Sequence, residues 1–300
     1  MEDNTSPAEW SPGFIGIGAE KSATTWAWSQ LNAHPGIEMS QPKELNYFNQ
    51  HFDRGAAWYR RHFSASPSGC LTGEISPLYM DCPFTAERIA ATYPDVPLLV
   101  LLRHPLDRAL SHLMHDAQNA YGGVANVTTA QLLRLAERDN KYSRRSCYAA
   151  SLQPFFERFP RKQIGIFFFD DVKSDPETLL RRLYTFVGAD TDFVPEAVDE
   201  RINRTKDYRS VSIHRVLRGM SMTANSFPPS RAVMEWLYRN TQLRERTLDL
   251  LMVDGGRPDL TPEEVLPSEQ LNAIREDLEK LSTRIEVPAA WRVSRESRAA

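Results

Sequence analysis

The stretch Phe14-Ile-Gly-Ile-Gly-Ala-Glu-Lys-Ser-Ala-Thr-Thr-Trp-Ala-Trp-Ser-Gln30 decides the fold of this 300-residue chain. It starts with an apolar run interrupted and followed by glycines, the pattern of a buried strand that ends where backbone approaches a ligand closely. Lys21 and Ser22 then fall in a turn, and Thr24 opens a helix whose first N–H groups and dipole favour negative charge. The stretch therefore predicts a strand, a turn and a helix that together bind an anion.

This stretch is close to the nucleotide-binding motif G-x-x-x-x-G-K-[ST], but it departs from the motif. Gly16 stands five residues before Lys21, next to the place of the first glycine, and Glu20 occupies the place of the second glycine. An ordinary strand–helix turn with a solvated lysine is the alternative for this segment taken alone. A second motif is needed to choose between the two interpretations.

A second strand–helix corner is predicted between residues 98 and 111. Leu98-Leu-Val-Leu-Leu102 is a continuous apolar run that ends at Arg103-His-Pro105, which is typical of a strand buried on both faces of a parallel sheet. Pro105 suits the first position of a helix, and that helix carries Ser111 about two turns from its start. Ligands of open α/β sheets bind at the carboxyl ends of strands. A forked contact with a bound phosphate therefore explains Arg103 better than an exposed ion pair with Asp107.

The two corners together resemble the paired cofactor loops of sulfotransferases that use 3′-phosphoadenylyl sulfate (PAPS). The resemblance is carried by Lys21-Ser-Ala-Thr-Thr-Trp26 and by Arg103 with Ser111 eight positions further on. It implies that Arg103 and Ser111 hold the 3′-phosphate and that Trp26 is available to stack on adenine. It also implies that the 5′-phosphosulfate is bound by the first loop, through Lys21, Ser22, Ala23, Thr24 and Thr25. The missing second glycine is normal for that family.

A third segment is similar to the catalytic segment of the Golgi-type carbohydrate sulfotransferases, including the heparan sulfate N- and 3-O-sulfotransferases. It reads Lys43-Glu-Leu-Asn-Tyr-Phe-Asn49 and is followed by Gly55-Ala-Ala-Trp-Tyr59. Because the family's catalytic acid precedes an aromatic pair, the resemblance implies that Glu44 is the general base. If residues 44–48 are extended, Glu44, Asn46 and Phe48 share one face. A solvated surface glutamate is the alternative interpretation.

The resemblance also implies which group neutralises the charge that develops during the reaction. The family often has a lysine near the transferring sulfuryl group, in a stretch that corresponds here to Gly73-Glu-Ile-Ser-Pro-Leu-Tyr79. Ile75 occupies the place of that lysine. Lys21 is therefore left as the main catalytic cation.

Two other segments are weaker candidates. The segment Asn203-Arg-Thr-Lys-Asp-Tyr-Arg-Ser210 resembles the late family loop that closes over the cofactor, which implies cofactor-binding roles for Lys206 and Arg209. A solvated basic turn is an equal alternative. Asp170 and Asp171 follow an apolar strand predicted at residues 163–169, where a structural role is favoured over a catalytic one.

Composition and charge are those of an ordinary globular protein. The chain is 41% hydrophobic and 25% charged with a net charge of −3, which gives a sizeable core and no basic field for nucleic acid. Cys70, Cys82 and Cys147 are sparse and lack C-x-x-C spacing, which suits a reducing compartment and offers no zinc site. Residues 1–7 have neither the basic region nor the apolar core of a secretory signal, and no apolar run of about 18 residues occurs in the sequence. We therefore predict a cytoplasmic protein without membrane or nucleic-acid partners.

These patterns predict an α/β fold with one P-loop-like domain over residues 14–300, preceded by a flexible lead-in over residues 1–13. Its central sheet is mainly parallel and flanked by helices. The resemblance implies a PAPS-dependent sulfotransferase that acts on a hydroxyl or amine of a small-molecule or carbohydrate acceptor, with 3′-phosphoadenosine 5′-phosphate (PAP) as product and no metal. The alternatives are a P-loop small-molecule kinase that uses ATP and Mg²⁺, and a non-catalytic nucleotide-binding protein. The sequence leaves the acceptor and the oligomeric state open.

Overall fold

The structure, a computed structural model, describes residues 10–63, 69–121, 127–196, 198, 206–208, 252–254 and 259–292. The described residues fall into two compact units. The first contains those within residues 1–109, 141–202 and 269–300, and the second contains those within residues 110–140 and 203–268. Most of the predicted lead-in lies outside the described residues. A single domain over residues 14–300 stays a prediction.

The first unit is built on a five-stranded parallel sheet. Its strands are β1 (Phe14–Gly18), β2 (Ile37–Met39), β3 (Leu71–Ile75), β4 (Leu98–Leu102) and β5 (Ile164–Phe168), in the spatial order β2-β3-β1-β4-β5. The two predicted central strands, β1 and β4, are buried over their full length. The strand order reverses between β1 and β4, and ligands of such sheets bind at that point, outside the carboxyl ends of the strands.

Helices make up most of the remaining described structure. In chain order they are α1 (Thr24–Ala33), α2 (Tyr47–Gln50), α3 (Ala56–Arg60), α4 (Thr85–Thr92), α5 (Pro105–Tyr121), α6 (Thr129–Arg138), α7 (Lys141–Arg144), α8 (Tyr148–Phe156), α9 (Phe169–Ser174), α10 (Pro176–Val187), α11 (Pro262–Val265), α12 (Ser268–Ser282) and α13 (Ala289–Arg292). Short 3₁₀ turns cover Phe52–Arg54, Pro77–Asp81 and Arg161–Gln163. The predicted start of α10 is confirmed, because Asp175 accepts from the Thr178 N–H and Pro176 is the first helical residue.

The sheet separates two hydrophobic cores because successive side chains of a strand point to opposite faces. Leu98, Val100 and Leu102 of β4 enter the first core, which also contains Tyr59, Tyr79, Phe48, Tyr148 and Phe155. Leu99 and Leu101 enter the second core, with Trp26 of α1 and Leu179, Leu183 and Tyr184 of α10. Helices therefore cover both faces of the sheet, as the continuous apolar strands predict.

The second unit is smaller and is described over fewer residues. It contains the later part of α5, then α6 and α11, and an antiparallel pair formed by β6 (Lys206–Tyr208) and β7 (Met252–Asp254). A capping box formed by Thr128 and Gln131 starts α6. Strand β6 was not predicted from the sequence, since its three residues carry no apolar alternation.

Candidate active site

The loop between β1 and α1 has a backbone suited to holding an anion. Lys21 and Ala23 have φ values of 69° and 65°, a left-handed conformation that residues other than glycine seldom adopt. Such residues concentrate at functional sites, and turns that use this conformation aim neighbouring N–H groups at one point. Ala23 supplies no side-chain cap to α1, and the first turn of α1 holds no acid. The positive end of the α1 dipole therefore faces this loop without a local negative charge from its first turn.

Ser22 brings a buried hydroxyl group to the same loop. Its side chain is fully buried, and Oγ makes no hydrogen bond of normal geometry with the described residues. The phenol of Tyr148 lies next to it, and the Ser22 hydroxyl is one of the groups that lower the pKa of this phenol. A buried polar group without a full hydrogen bond costs roughly 1–3 kcal/mol. An anion in the loop would accept the hydrogen bond of Ser22, so the residues present fit a phosphate or sulfate group.

Arg103 and Lys21 follow neighbouring strands of the sheet. β1 and β4 pair in parallel, and the Ala19 N–H continues the pairing by donating to the Leu101 carbonyl at 2.7 Å. The two predicted cofactor corners therefore start from adjacent strand ends. The Arg103 guanidinium carbon lies 4.8 Å from the centroid of the Phe169 ring, which holds the side chain at the sheet edge.

Tyr148 is buried beneath the loop and contacts a residue of each of the two predicted cofactor corners. Its hydroxyl donates to the Arg103 carbonyl at 3.0 Å and also lies beside Ser22. Burial raises the pKa of Tyr148, while the positive charge of the buried Arg108 lowers it in part. Arg108 donates at 2.7 Å to Ser146 Oγ and to the Tyr142 carbonyl. A buried cation and a buried phenol thus support the loop from the protein interior.

Glu20, which replaces the second glycine of the nucleotide-binding motif, belongs to an ion network. Arg145 donates from Nη1 to Glu20 Oε2 at 2.6 Å and from Nε to Asp81 Oδ2 at 3.0 Å. Arg144 pairs with Asp81 at 2.5 Å. Because Asp81 ends the 3₁₀ turn after β3, the network fixes the loop to that turn. It also neutralises a carboxylate that would otherwise oppose an anion.

The remaining predicted cofactor residues lie in different surroundings. Thr24 is buried and Thr25 is half-buried in the first turn of α1. Trp26 is 4% exposed and donates from Nε1 to the Val198 carbonyl at 3.1 Å, so this structure leaves it no free face for stacking on adenine. Ser111 is buried on α5, in the second turn after Pro105.

The predicted late loop is only partly covered by the structure. The backbone of Lys206 lies in β6, and nothing is described of its side chain. Arg209 lies outside the described residues. Asp170 and Asp171 lie in α9, where Asp170 accepts from the Trp291 indole at 3.2 Å and Asp171 pairs with Arg182 at 2.9 Å. These contacts give both aspartates structural roles.

Residues 44–48 are not extended, so Glu44, Asn46 and Phe48 do not share the face that an extended segment would give them. Glu44 and Asn46 have φ values of 64° and 50°, and α2 begins at Tyr47. The backbone turns because both aromatic residues of the motif, Tyr47 and Phe48, enter the first core instead of alternating between faces. The Glu44 side chain is 43% exposed, and its Oε1 lies 2.5 Å from Lys43 Nζ. The candidate base is thus an accessible carboxylate on a backbone conformation typical of functional sites.

Buried hydroxyl groups hold the segment that carries Glu44. The Asn46 N–H donates to Ser76 Oγ at 3.0 Å, and the N–H groups of Tyr47 and Phe48 donate to the Tyr79 hydroxyl at 2.8 and 3.4 Å. Those two hydroxyls donate in turn to the carboxylate of Glu74, at 2.9 Å from Ser76 and 2.8 Å from Tyr79. The sequence patterns did not assign a role to Glu74. A charged residue inside an otherwise buried strand was the available signal.

The same network is joined to β1, the strand that leads into the loop of Lys21. The Ser76 N–H donates to the Gly16 carbonyl at 2.9 Å. A Cβ atom on Gly18 would lie 2.9 Å from Met80 Sδ, so the turn after β3 packs closely on the end of β1. Ile75, at the place of the family lysine, points to the opposite face and is fully buried in the second core. The candidate base segment and the candidate donor loop are therefore anchored to the same pair of strands.

Comparison with known proteins shows which families this chain is similar to. Residues 76–192 match the family described as "Sulfotransferase family". Residues 76–192 therefore have the sequence pattern of the sulfotransferase family. The matched range includes Arg103 and Ser111 but not Lys21 or Glu44, whose placement comes from the geometry described above.

Individual sulfotransferases also match parts of the chain. The membrane-associated sulfotransferase kil1 of Dictyostelium discoideum is 41% identical over 110 residues, which are 36% of this chain and 23% of that protein. The heparan sulfate glucosamine 3-O-sulfotransferase 3B1 of Mus musculus is 28% identical over 184 residues, covering 59% of this chain and 46% of that protein. The chain thus spans less than half the length of these curated relatives.

A solved sulfotransferase shares the fold. The crystal structure of a sulfotransferase from Alicyclobacillus acidocaldarius matches with a TM-score of 0.56 and 25% identity, over 76% of this chain and 96% of that one. The predicted α/β fold, with a parallel sheet flanked by helices, is confirmed. Within the described ranges, no helix combines the length and apolarity needed to cross a bilayer.

Proposed function

We propose that this sulfotransferase-family domain transfers a sulfuryl group from PAPS to a hydroxyl or amine of a carbohydrate or small-molecule acceptor. The observation that carries the proposal is the loop of residues 19–25. It combines two left-handed residues, a buried Ser22 hydroxyl without a full hydrogen bond and an uncapped helix start. These are features of a site for a phosphate or sulfate group.

The donor's two anionic ends are assigned to two corners. Residues Lys21 to Thr25 bind the 5′ end, with backbone N–H groups of the loop as well as side chains. Arg103, at the end of the adjacent strand β4, binds the 3′-phosphate through its forked guanidinium. Ser111 shares that phosphate by the resemblance alone. Lys206 and Arg209, from the same resemblance, complete the cofactor-binding set.

The proposed reaction needs a base for the acceptor and positive groups that stabilise developing negative charge. PAPS supplies an activated sulfuryl group. As the acceptor forms its new bond to sulfur, the bond between sulfur and the bridging phosphate oxygen breaks. The electron pair of that bond leaves with PAP. Glu44 takes the proton that the acceptor loses. Lys21 and the N–H groups at the start of α1 stabilise the negative charge that develops on the bridging oxygen. Positioning and charge stabilisation are the main requirements of such a transfer.

More general arguments support proposals for the cellular location of the protein and for the class of its acceptor. The sparse cysteines Cys70, Cys82 and Cys147 support a cytoplasmic location, which cell fractionation with a tagged chain tests. The accessible carboxylate of Glu44 supports an acceptor that brings its hydroxyl or amine to the protein surface. A carbohydrate meets this requirement, as does a small molecule.

Glu44 is the residue whose substitution tests the proposal. Wild-type and Glu44→Gln proteins are incubated with labelled PAPS and pools of carbohydrate and small-molecule acceptors. We expect turnover to fall by about 10²–10⁴-fold, because the variant cannot accept the proton. PAP affinity, measured by calorimetry, should stay unchanged.

The matched control is Glu177→Gln, which removes a carboxylate that pairs with Arg181 on the surface of α10 at 2.9 Å. This variant should keep wild-type turnover. If turnover of Glu44→Gln stays within about threefold of wild type, Glu44 is not the base. If wild type transfers nothing to any pool while binding PAP, the domain is a nucleotide-binding protein without this activity.

A further inference from the structure

Glu74 is a buried carboxylate that the proposed chemistry does not use directly. It lies on β3 with no exposed surface, on the side of the sheet that faces the first core. Burying a carboxylate is costly unless hydrogen bonds compensate for lost hydration, and an apolar residue of similar size is often more stabilising. Core packing alone therefore does not account for a glutamate at this position.

The hydrogen bonds of Glu74 have a definite direction. One oxygen accepts from Ser76 and the other accepts from Tyr79, at 2.9 and 2.8 Å. When Glu74 is ionised it only accepts hydrogen bonds, so both hydroxyl protons then point at it. The lone pairs of these hydroxyls are thereby directed away from Glu74, toward the N–H groups of Asn46 and Tyr47.

The groups that face Glu74 come from three elements around it. The phenols of Tyr59 on α3, Tyr79 in the 3₁₀ turn and Tyr93 after α4 all interact with its charge. Tyr59 approaches the carboxylate without the geometry of a full hydrogen bond. Burial raises the pKa of Glu74 to about 7, and the hydrogen bonds limit that rise. A small change in pH near neutrality therefore changes the number of hydrogen bonds that this carboxylate accepts.

We propose that Glu74 is a positioning residue that, through the hydroxyls of Ser76 and Tyr79, fixes residues 44–48 so that Glu44 meets the acceptor beside the donor loop. The inference rests on the proposed function. The Ser76 N–H donates to the Gly16 carbonyl, so this relay connects the Glu44 segment to the strand that leads to Lys21. Displacing a reacting group by about 1 Å can cost on the order of 10²-fold in rate. Loss of the relay should therefore lower kcat more than it lowers donor affinity.

Tyr79→Phe and Glu74→Gln test the relay, because each removes part of it with little change in shape. Glutamine can accept from only one of the two hydroxyls with its single carbonyl oxygen. The matched control is Tyr184→Phe, which removes a buried phenol that donates to the Gln30 carbonyl on the other side of the sheet. All three variants are compared for kcat, PAP affinity, thermal unfolding and amide hydrogen exchange.

We expect kcat to fall at least about tenfold in Tyr79→Phe and Glu74→Gln, with PAP affinity unchanged. Amide exchange at residues 44–48 should become at least about tenfold faster in both, and Tyr184→Phe should change neither property. The wild-type kcat should rise with pH around 7, and this rise should be absent in Glu74→Gln. Glu74→Asp keeps a carboxylate, so at neutral pH it should recover part of the kcat that Glu74→Gln loses. A role in packing alone would not give this recovery.

The inference is overturned if Tyr79→Phe and Glu74→Gln match Tyr184→Phe in kcat and in exchange at residues 44–48. It is also overturned if kcat and PAP affinity fall together, since that result indicates a general structural role. Should the wild-type protein transfer no sulfuryl group, the proposed function fails. Hydrogen exchange at residues 44–48 then still decides whether Glu74 holds this segment.

Discussion

At the scale of single residues, Glu74 couples the stability of the first unit to pH. Burial raises its pKa from 4.5 to about 7 in the folded state. Below the unfolded value both states hold the proton, and between about 4.5 and 7 only the folded state holds it. The free energy of unfolding therefore loses the contribution of Glu74 as pH rises through this window, and above it no further loss occurs.

This linkage predicts how Glu74→Gln changes stability with pH. Because glutamine does not titrate, the variant should gain stability relative to wild type as pH rises from about 4.5 to 7. Urea unfolding of both proteins at several pH values measures the difference. Glu177→Gln, whose carboxylate is on the surface, should show no such gain. A constant difference between Glu74→Gln and wild type across the window would contradict the raised pKa.

At the scale of elements, the loop after β1 is held by its neighbours as much as by its own sequence. Arg145 joins Glu20 of the loop to Asp81 of the turn after β3. Removing Arg145 takes away a positive charge that pairs with the Glu20 carboxylate beside the proposed anion site. Since like charges repel and the side chains are partly buried, this carboxylate should oppose an anionic ligand.

Arg145→Gln should therefore weaken PAP binding by about tenfold, and the double variant Glu20→Gln, Arg145→Gln should recover most of the loss. Isothermal calorimetry at one fixed ionic strength measures all three proteins. Arg181→Gln, which breaks an exposed pair with Glu177 on α10, is the control and should bind PAP normally. If the double variant binds no better than Arg145→Gln, charge neutralisation of Glu20 is not the function of Arg145.

Elements that follow from local patterns were predictable, and contacts between distant segments were not. The apolar run Leu98–Leu102 and the cap at Asp175 correspond to β4 and to the start of α10. An extended segment would point Tyr47 and Phe48 to opposite faces, yet both lie in the first core, and residues 44–48 bend. Trp26 was expected at the cofactor, yet the second core covers it. Long-range packing decided both outcomes, and a sequence pattern does not contain it.

The residues of the candidate site also divide into those with a local sequence signal and those whose role depends on distant contacts. Lys21 and Arg103 could be proposed as site residues because strand ends and helix starts carry local signals. Glu74 was not recognised, because its role depends on hydrogen bonds of Ser76 and Tyr79 with the backbone of residues 46–48, which are distant in sequence. A charged residue in a buried strand was the one sequence feature that pointed to it.

At the scale of the whole molecule, the order of strands in the first unit explains why the site lies where it does. The order β2-β3-β1-β4-β5 places β1 between the strand that anchors the Glu44 segment and the strand that ends at Arg103. The loop of Lys21 thus emerges between the candidate base on one side and the candidate phosphate clamp on the other. Function in such folds is determined by the residues at this edge.

The central claim is that the corners after β1 and β4 bind opposite ends of one adenosine donor with phosphate at both ends. Calorimetric comparison of PAP with ADP, without Mg²⁺ and then with it, tests this claim most directly. We predict that PAP binds at least about 100-fold more tightly than ADP, and that Arg103→Met removes most of this preference while leaving ADP binding nearly unchanged. Equal affinity for PAP and ADP, or tighter binding of ADP with Mg²⁺, would contradict the claim and favour a kinase.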